Sequence, residues 1–251
     1  MTGHGFRRFV VVTGTDTGVG KTIATAALAS MVAATGATVT VDKPTQTGVL
    51  PGEDGDIEDV LRLSGVRGTE GVRLREPMAP VQAAALESRT LPALVDHLGR
   101  LRQLAARHDH VIVEGAGGLL VPLTSAGETL ADLAGVLGPD AEVVVVARAG
   151  LGTLNHTLLT LEALTARGLH TRGTLIGSWP DHPDAVDLGN QEFLAALDAP
   201  LLARIPARAG HLDRADFVHR APLWFAGGGV GEAGGTGATP VTTSSTRWRR
   251  G

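Results

Sequence analysis

The chain has 251 residues, 43% of them apolar and only 3% aromatic, with a formal net charge of −4 and no cysteine. A core must therefore be built from Val, Leu, Ile and Ala, and disulfides, thiolate nucleophiles, Cys-ligated zinc and iron–sulfur clusters are all excluded. The acidic balance lacks the surplus of Lys and Arg that nucleic-acid phosphates demand, so no nucleic-acid partner is expected.

No apolar run reaches the ~20 residues needed to cross a bilayer. Met1–Arg8 is too short and polar for a signal peptide. The expectation is a cytoplasmic protein with no membrane partner.

In chain order, Phe9–Thr13 reads as a first strand buried on both sides, and Lys21 to about Thr35 as a helix stopped by Gly36. Thr38–Asp42 is a second strand, Thr45–Gly55 a polar Gly-rich loop, and Asp56–Leu63 a short helix. Residues Arg67–Ser88 show weak periodicity, and Pro77 and Pro80 predict irregular structure there. Leu91–Arg107 has the period of an amphipathic helix and feeds a strand at His110–Val113, followed by the turn Glu114–Gly118. Glu142–Ala147 is a central strand, with a helix from about Thr153 to Arg167 after it. Thr171–Ile176, Asp184–Leu197 and Pro200–Ile205 then read as strand, helix and short strand.

Alternating strands and helices of this kind predict an α/β fold of the P-loop NTPase type, a mostly parallel sheet with helices on both faces. Residues 1–226 are expected to form this one domain. From Gly227 the composition turns to Gly, Ser and Thr, and residues 227–251 are expected to be a disordered tail ending near the cluster Arg247, Trp248, Arg249 and Arg250.

Gly14-Thr15-Asp16-Thr17-Gly18-Val19-Gly20-Lys21-Thr22 lies between the first strand and the first long helix. Glycines let backbone N–H groups turn toward a phosphate, and the helix N-terminus adds a favourable dipole. In such a loop Lys21 neutralises the β/γ oxygens and the Thr22 hydroxyl ligates Mg²⁺. The strict motif places Gly five residues before Gly20, where this chain has Thr15; its Gly14 stands six before.

Ligands of open α/β sheets sit at the carboxyl ends of the strands. Lys43, at the end of the second predicted strand, is thus placed to add a second cation to a transferring phosphoryl group; the alternative is a solvated lysine. Glu114 ends the apolar run Val111–Val113, the position where P-loop enzymes hold Mg²⁺, with a solvated strand end as the alternative. Asp56 follows the Gly-rich loop and is either a third Mg²⁺ group or a helix cap. Mg²⁺ commonly takes one or two protein carboxylates together with phosphates and water, which Thr22, Asp56 and Glu114 would suit. His108 and His110 lack metal-motif spacing.

The segments GTDTGVGKT, KPTQTG, VEGAGGLLVPL and LGTLNHTLLTLEAL resemble, in order and spacing, those of dethiobiotin synthetases, over about Phe9 to Pro206. The resemblance implies an ATP-dependent cyclo-ligase of biotin biosynthesis. Such an enzyme makes dethiobiotin from 7,8-diaminononanoate and CO₂, releases ADP and phosphate, requires Mg²⁺ and works as a homodimer. It implies catalytic roles for Lys21 and Lys43. It implies nucleotide contacts from Gly18, Val19, Gly20, Lys21, Thr22 and Ile23, from Asp56, Glu114, Ala116 and Gly117, and from Gly177, Ser178, Ile205 and Pro206. Thr17 and Thr47 fall near the reacting end of the substrate. Gly152, Thr153, Leu154 and Asn155 open a helix whose N–H groups would hold the substrate carboxylate of the neighbouring subunit.

Gly18 replaces an acidic residue of many relatives. Ile176–Pro180 lacks the Asn-Asp pair that many place near the base, which leaves another nucleoside triphosphate as an alternative to ATP. Partition-type ATPases carry a second lysine where this chain has Asp16. Cobyrinate-type amidating synthetases need an ammonia source, usually a Cys-dependent glutaminase, and the chain has no Cys.

Overall fold

A computed structural model describes residues 5–226. The expected tail at 227–251 lies outside the described residues. Seven parallel strands are ordered β3-β2-β4-β1-β5-β6-β7. They are β1 (Phe9–Gly14), β2 (Val39–Gln46), β3 (Gly68–Arg73), β4 (His110–Gly118), β5 (Ala141–Ala147), β6 (Thr171–Trp179) and β7 (Leu201–Pro206). Between and after them run α1 (Lys21–Ala33), α2 (Asp56–Ser64), α3 (Pro80–Leu86), α4 (Leu94–Ala105), α5 (Leu130–Leu137), α6 (Thr153–Ala166), α7 (Ala185–Ala195) and α8 (Arg214–Ala226).

Side chains alternate across a strand, so each apolar strand feeds two cores. Val10, Val12, Val41, Ile112 and Val144 pack on α1, α2 and α8. Phe9, Val11, Val111, Val113, Val143 and Val145 pack on α4, α5 and α6. The same alternation sends Lys43 and Glu114 to the α1/α2 side and Asp42 to the α4 side.

Two strands run further than the sequence pattern indicates. β2 continues to Gln46 and β4 to Gly118, so Lys43 and Glu114 lie within strands and not at their ends. The β2–β4 pairing itself, however, stops at Asp42 opposite Val113. Beyond that rung β2 keeps only β3 as a partner, through Gln46 opposite Arg73. The two strands therefore part at Lys43 and Glu114, and the crevice of the open sheet begins there.

The stretch expected to be irregular contains β3 and α3. β3 is an edge strand whose only buried side chain is Val72, so it carries no period-two signal. A Cβ on Gly68 would lie 2.7 Å from the Val41 carbonyl oxygen, and one on Gly71 2.3 Å from that of Pro44. Small residues there are what let β3 approach β2. Two helices outside the sequence reading, α5 and α8, complete the layers. The Thr129 hydroxyl and the Asp132 carboxylate cap α5 reciprocally. α8 buries Phe217 edge-on to Trp224.

Candidate active site

β1 delivers the chain into the loop Gly14–Gly20, and α1 starts immediately after it. Gly20, at φ 92°, caps the helix in a left-handed conformation that L side chains avoid. It also packs against β6, since a Cβ would lie 2.4 Å from the Gly177 carbonyl oxygen. The Thr15 N–H donates to the Val146 carbonyl at 2.9 Å, and Lys21 Nζ donates to the Asp16 carbonyl at 3.0 Å. Asp16 accepts from the Thr17 N–H at 2.7 Å and from Arg148 Nη2 at 2.7 Å, which joins the loop to the chain leaving β5.

The crevice beside this loop has a volume of about 650 Å³. Of the residues singled out in the sequence, Thr17, Gly18, Gly20, Lys21, Thr22, Ile23, Lys43, Thr47, Asp56, Glu114, Ala116 and Gly117 line it. Lys43 Nζ donates to Glu114 Oε1 at 2.9 Å and to the Gly115 carbonyl at 3.1 Å, and it pairs with Asp56 Oδ2. The Thr22 hydroxyl donates to Glu114 Oε1 at 3.0 Å. Residues 22, 43, 56 and 114 thus come from α1, β2, α2 and β4 to one point.

Three alternatives fall with this geometry. Lys43 and Glu114 are 3% and 1% exposed, so neither is a solvated surface residue. The cap of α2 is Gly55, whose N–H donates to Glu58 at 2.7 Å; Asp56 is the first helical residue and turns its carboxylate to Lys43.

Burial works against the Lys43 charge, but Glu114 and Asp56 more than offset it and raise its pKa above the usual lysine value. Burial, reinforced by the neighbouring Lys43 charge, lowers that of Lys21. Burial also opposes ionisation of Asp56, yet the charge and hydrogen bond of Lys43 hold it below the usual carboxylate range. Glu114 is pushed up by burial, which Lys43 counters only in part.

Thr22, Asp56 and Glu114 present hard oxygen donors, the chemistry of a Mg²⁺ site. Among the described residues no group of three or more His, Asp or Glu forms a self-sufficient metal cage. Two carboxylates and a hydroxyl fit a Mg²⁺ ion that would draw its remaining ligands from phosphate and water. His108 and His110 contact the backbone oxygens of Leu104 and Arg7 through Nδ1.

Other expected residues lie off the crevice. Val19, within the loop, has a buried side chain, Gly177 presses on Val19 and Gly20, and Ile205 belongs to the α1-side core. Ser178 and Pro206 stand at the ends of β6 and β7. Gly152 caps α6, and Thr153, Leu154 and Asn155 form its first turn, none of them lining the crevice. Thr153 is fully buried and its hydroxyl has no partner among the described residues.

Sequence reasoning missed Gln46. Its Oε1 accepts the Asp56 N–H at 3.0 Å and its Nε2 donates to the Thr47 carbonyl at 3.1 Å, which aims the start of α2 into the crevice. Gln46 stands inside the segment KPTQTG, but its role depends on where α2 packs. Pro77, Met78, Ala79 and Pro80, which the weak pattern of residues 67–88 did not disclose, add an apolar wall together with Val121.

A family model described as an AAA domain matches residues 8–212. The chain is 50% identical over 218 residues to the ATP-dependent dethiobiotin synthetase BioD of Rhodococcus jostii, covering 86% of this chain and 94% of the relative. It is 51% identical over 209 residues to the protein of that name from Mycobacterium avium, covering 83% and 91%. With that from Streptomyces coelicolor the identity is 48% over 219 residues, covering 86% and 91%.

Proposed function

The chain belongs to the family of ATP-dependent dethiobiotin synthetases, and from that premise we propose how its crevice divides the work of closing a ureido ring. The reaction joins 7,8-diaminononanoate and CO₂ at the cost of ATP. One amine adds to CO₂ and loses a proton, giving a carbamate. A carbamate oxygen attacks the γ-phosphorus as the bond to ADP breaks. The second amine then attacks the carbonyl carbon, phosphate leaves, and the ring closes with loss of a proton.

The observation that carries this reading is the meeting of Lys43 with Asp56 and Glu114 beside Lys21 and Thr22. Backbone N–H groups of Gly18, Val19, Gly20, Lys21 and Thr22 cradle the phosphates, and Lys21 neutralises the β/γ oxygens. Lys43 reaches the oxygens that gain charge as the phosphoryl group moves, where a fixed cation counts most. Thr22, Asp56 and Glu114 would hold Mg²⁺, which would supply positive charge to offset that of the phosphates. Lys43 must first leave one carboxylate, and Lys21 the Asp16 carbonyl; incoming phosphates offer both a stronger anion.

Thr17 and Thr47, which both line the crevice, orient the carbamate end, and the Pro77–Pro80 wall shields the hydrocarbon chain from water. Ile23, Ala116 and Gly117 in the crevice hold the nucleoside, with Gly177, Ser178, Ile205 and Pro206 near the carboxyl ends of β6 and β7 offering backbone groups to it. The absent Asn-Asp pair at Ile176–Pro180 makes nucleotide choice a direct experimental question.

The enzyme acts in the cytoplasm as a homodimer. Exposed Leu151, Leu158 and Leu159 at α6 supply an apolar face for a second copy. In that pair the α6 N-terminus of one subunit, with Gly152, Thr153, Leu154 and Asn155, holds the carboxylate of the substrate seated in the other.

The test is ADP release with and without diaminononanoate and bicarbonate, with the product identified by mass. ADP release that depends on both, together with dethiobiotin, is expected. Hydrolysis indifferent to the diamine would overturn the synthetase reading. Substituting CTP and GTP for ATP in the same assay sets the nucleotide preference.

A further inference from the structure

Behind Lys43, on the opposite face of β2, lies a second charged group that the reaction does not touch. Asp42 is fully buried. Arg100 of α4 clasps it with both arms of the guanidinium, Nε to Oδ1 at 2.8 Å and Nη2 to Oδ2 at 3.0 Å. Thr69 of β3 donates its hydroxyl to Oδ1 at 2.7 Å. The guanidinium lies against β3 where that strand has no side chain, since a Cβ on Gly71 would stand 2.7 Å from Arg100 Nη2. His97, one helical turn before Arg100, brings Nδ1 to 3.1 Å from the same nitrogen.

A buried ion pair is a poor way to gain stability, because desolvation of the charges consumes most of their attraction; its best-attested use is to fix position. Here the position is the last rung that β2 shares with β4, Asp42 opposite Val113. The next residue is Lys43, where β2 has lost β4 and only β3 still guides it. A strand free on one side can tilt about its last rung, and the long lysine side chain magnifies any tilt at Nζ. A bidentate fork from α4 resists that tilt because it fixes direction as well as distance.

We propose that Arg100 and Asp42 are positioning residues, a clamp on the face of the sheet away from the substrate that sets where the Lys43 ammonium stands. The proposal rests on the reading of Lys43 as the cation for the moving phosphoryl group. It gives Arg100 no contact with nucleotide or substrate. Loosening the clamp should misplace one charge in the transition state and leave the ground-state grip on ATP to the phosphate loop.

The experiment is a double-mutant cycle between Arg100→Gln and Lys43→Gln, with kcat from steady-state turnover and ATP affinity from calorimetry. Arg100→Gln should lower kcat roughly 10- to 100-fold, the scale of a catalytic group misplaced by about 1 Å, with ATP affinity almost unchanged. Arg100→Lys should recover part of the loss, since it keeps the charge but not the fork. In the Lys43→Gln background Arg100→Gln should cost nothing further. Fully additive losses, or equal losses in kcat and ATP affinity, would overturn the clamp and leave the reading of Lys43 standing. Wild-type kcat for Lys43→Gln would overturn the reading of Lys43, and the clamp with it. Should Arg100→Gln fail to fold, Thr69→Val, which removes one neutral donor from Asp42, carries the same cycle with a smaller expected loss.

Discussion

Lys43 and Glu114 meet at 2.9 Å inside the sheet, a cation and an anion almost sealed from water at the point where β2 and β4 separate. Lys43→Gln removes the only cation among the described residues that touches both Glu114 and Asp56. We expect kcat to fall about 10²- to 10³-fold, with a much smaller change in ATP affinity, because the charge is needed most while the phosphoryl group is in flight. Kinetics and calorimetry on the same protein check this. Matching losses in both would make Lys43 a ground-state nucleotide contact.

Asp56→Asn and Glu114→Gln each take a hard anionic oxygen from the proposed Mg²⁺ site. Turnover titrated with Mg²⁺ should need a higher concentration in either variant. An unshifted titration would return that residue to a purely structural role. Either substitution also leaves Lys43 with one carboxylate instead of two, so the melting temperature of each variant should drop.

Lys21→Ala should fold, since a small helix-forming residue replaces a lysine at the first position of α1. Turnover should fall by about two orders of magnitude or more through loss of charge on the β/γ oxygens. Near-normal kcat in a folded variant would remove Lys21 from the reaction.

Gly177→Ala would place a methyl group 2.1 Å from the Val19 carbonyl oxygen and 2.6 Å from Val146 Cγ1. The loop or β6 must move to admit it. We expect a loss of about 1–3 kcal/mol in stability, the usual cost of overpacking, together with weaker ATP binding. Denaturant unfolding and calorimetry measure the two effects. Unchanged values would show that the contact between β6 and the loop is not needed.

His97 gives the protein a pH dependence near neutrality. Burial, and then the Arg100 charge, lowers its pKa below the usual histidine value near 6.5. The unfolded chain therefore takes up a proton at a higher pH than the folded one. Stability should decline as pH falls from about 6.5 toward the folded pKa and should show no further His97 contribution below it. Asp56, Asp109 and Asp132 have depressed carboxyl values, so their loss comes at lower pH, below the ordinary carboxylate range. Melting temperatures from pH 7.5 to 5 for the wild type and for His97→Leu check this. An equal decline in both would assign the effect elsewhere.

The phosphate loop was legible because its residues are contiguous and flanked by a strand and a helix. That Lys43 faces the crevice was legible through one topological rule, that ligands gather at the carboxyl ends of parallel strands, whereas Glu114 stood out as a carboxylate closing an apolar run and Asp56 as a helix start after a Gly-rich loop. What the pattern could not give was the extra length of β2 and β4, since Lys43–Gln46 and Glu114–Gly118 are too polar or too small to read as strand. β3 escaped for the same reason, being a polar edge with two glycines. The Asp42–Arg100 pair joins residues 58 positions apart and belongs to no local pattern. Gln46 was in plain view, yet its bond to the Asp56 N–H exists only once α2 has packed.

The close seat of Val19 and Gly20 on Gly177 bears on how quickly the enzyme can load. A loop already lodged against β6, with Gly20 fixed in its left-handed turn, pays little ordering entropy when a nucleotide arrives. Nucleotide association should accordingly be a single fast phase limited by encounter, with a modest heat-capacity change, and any slower phase should come from the amine side of the crevice.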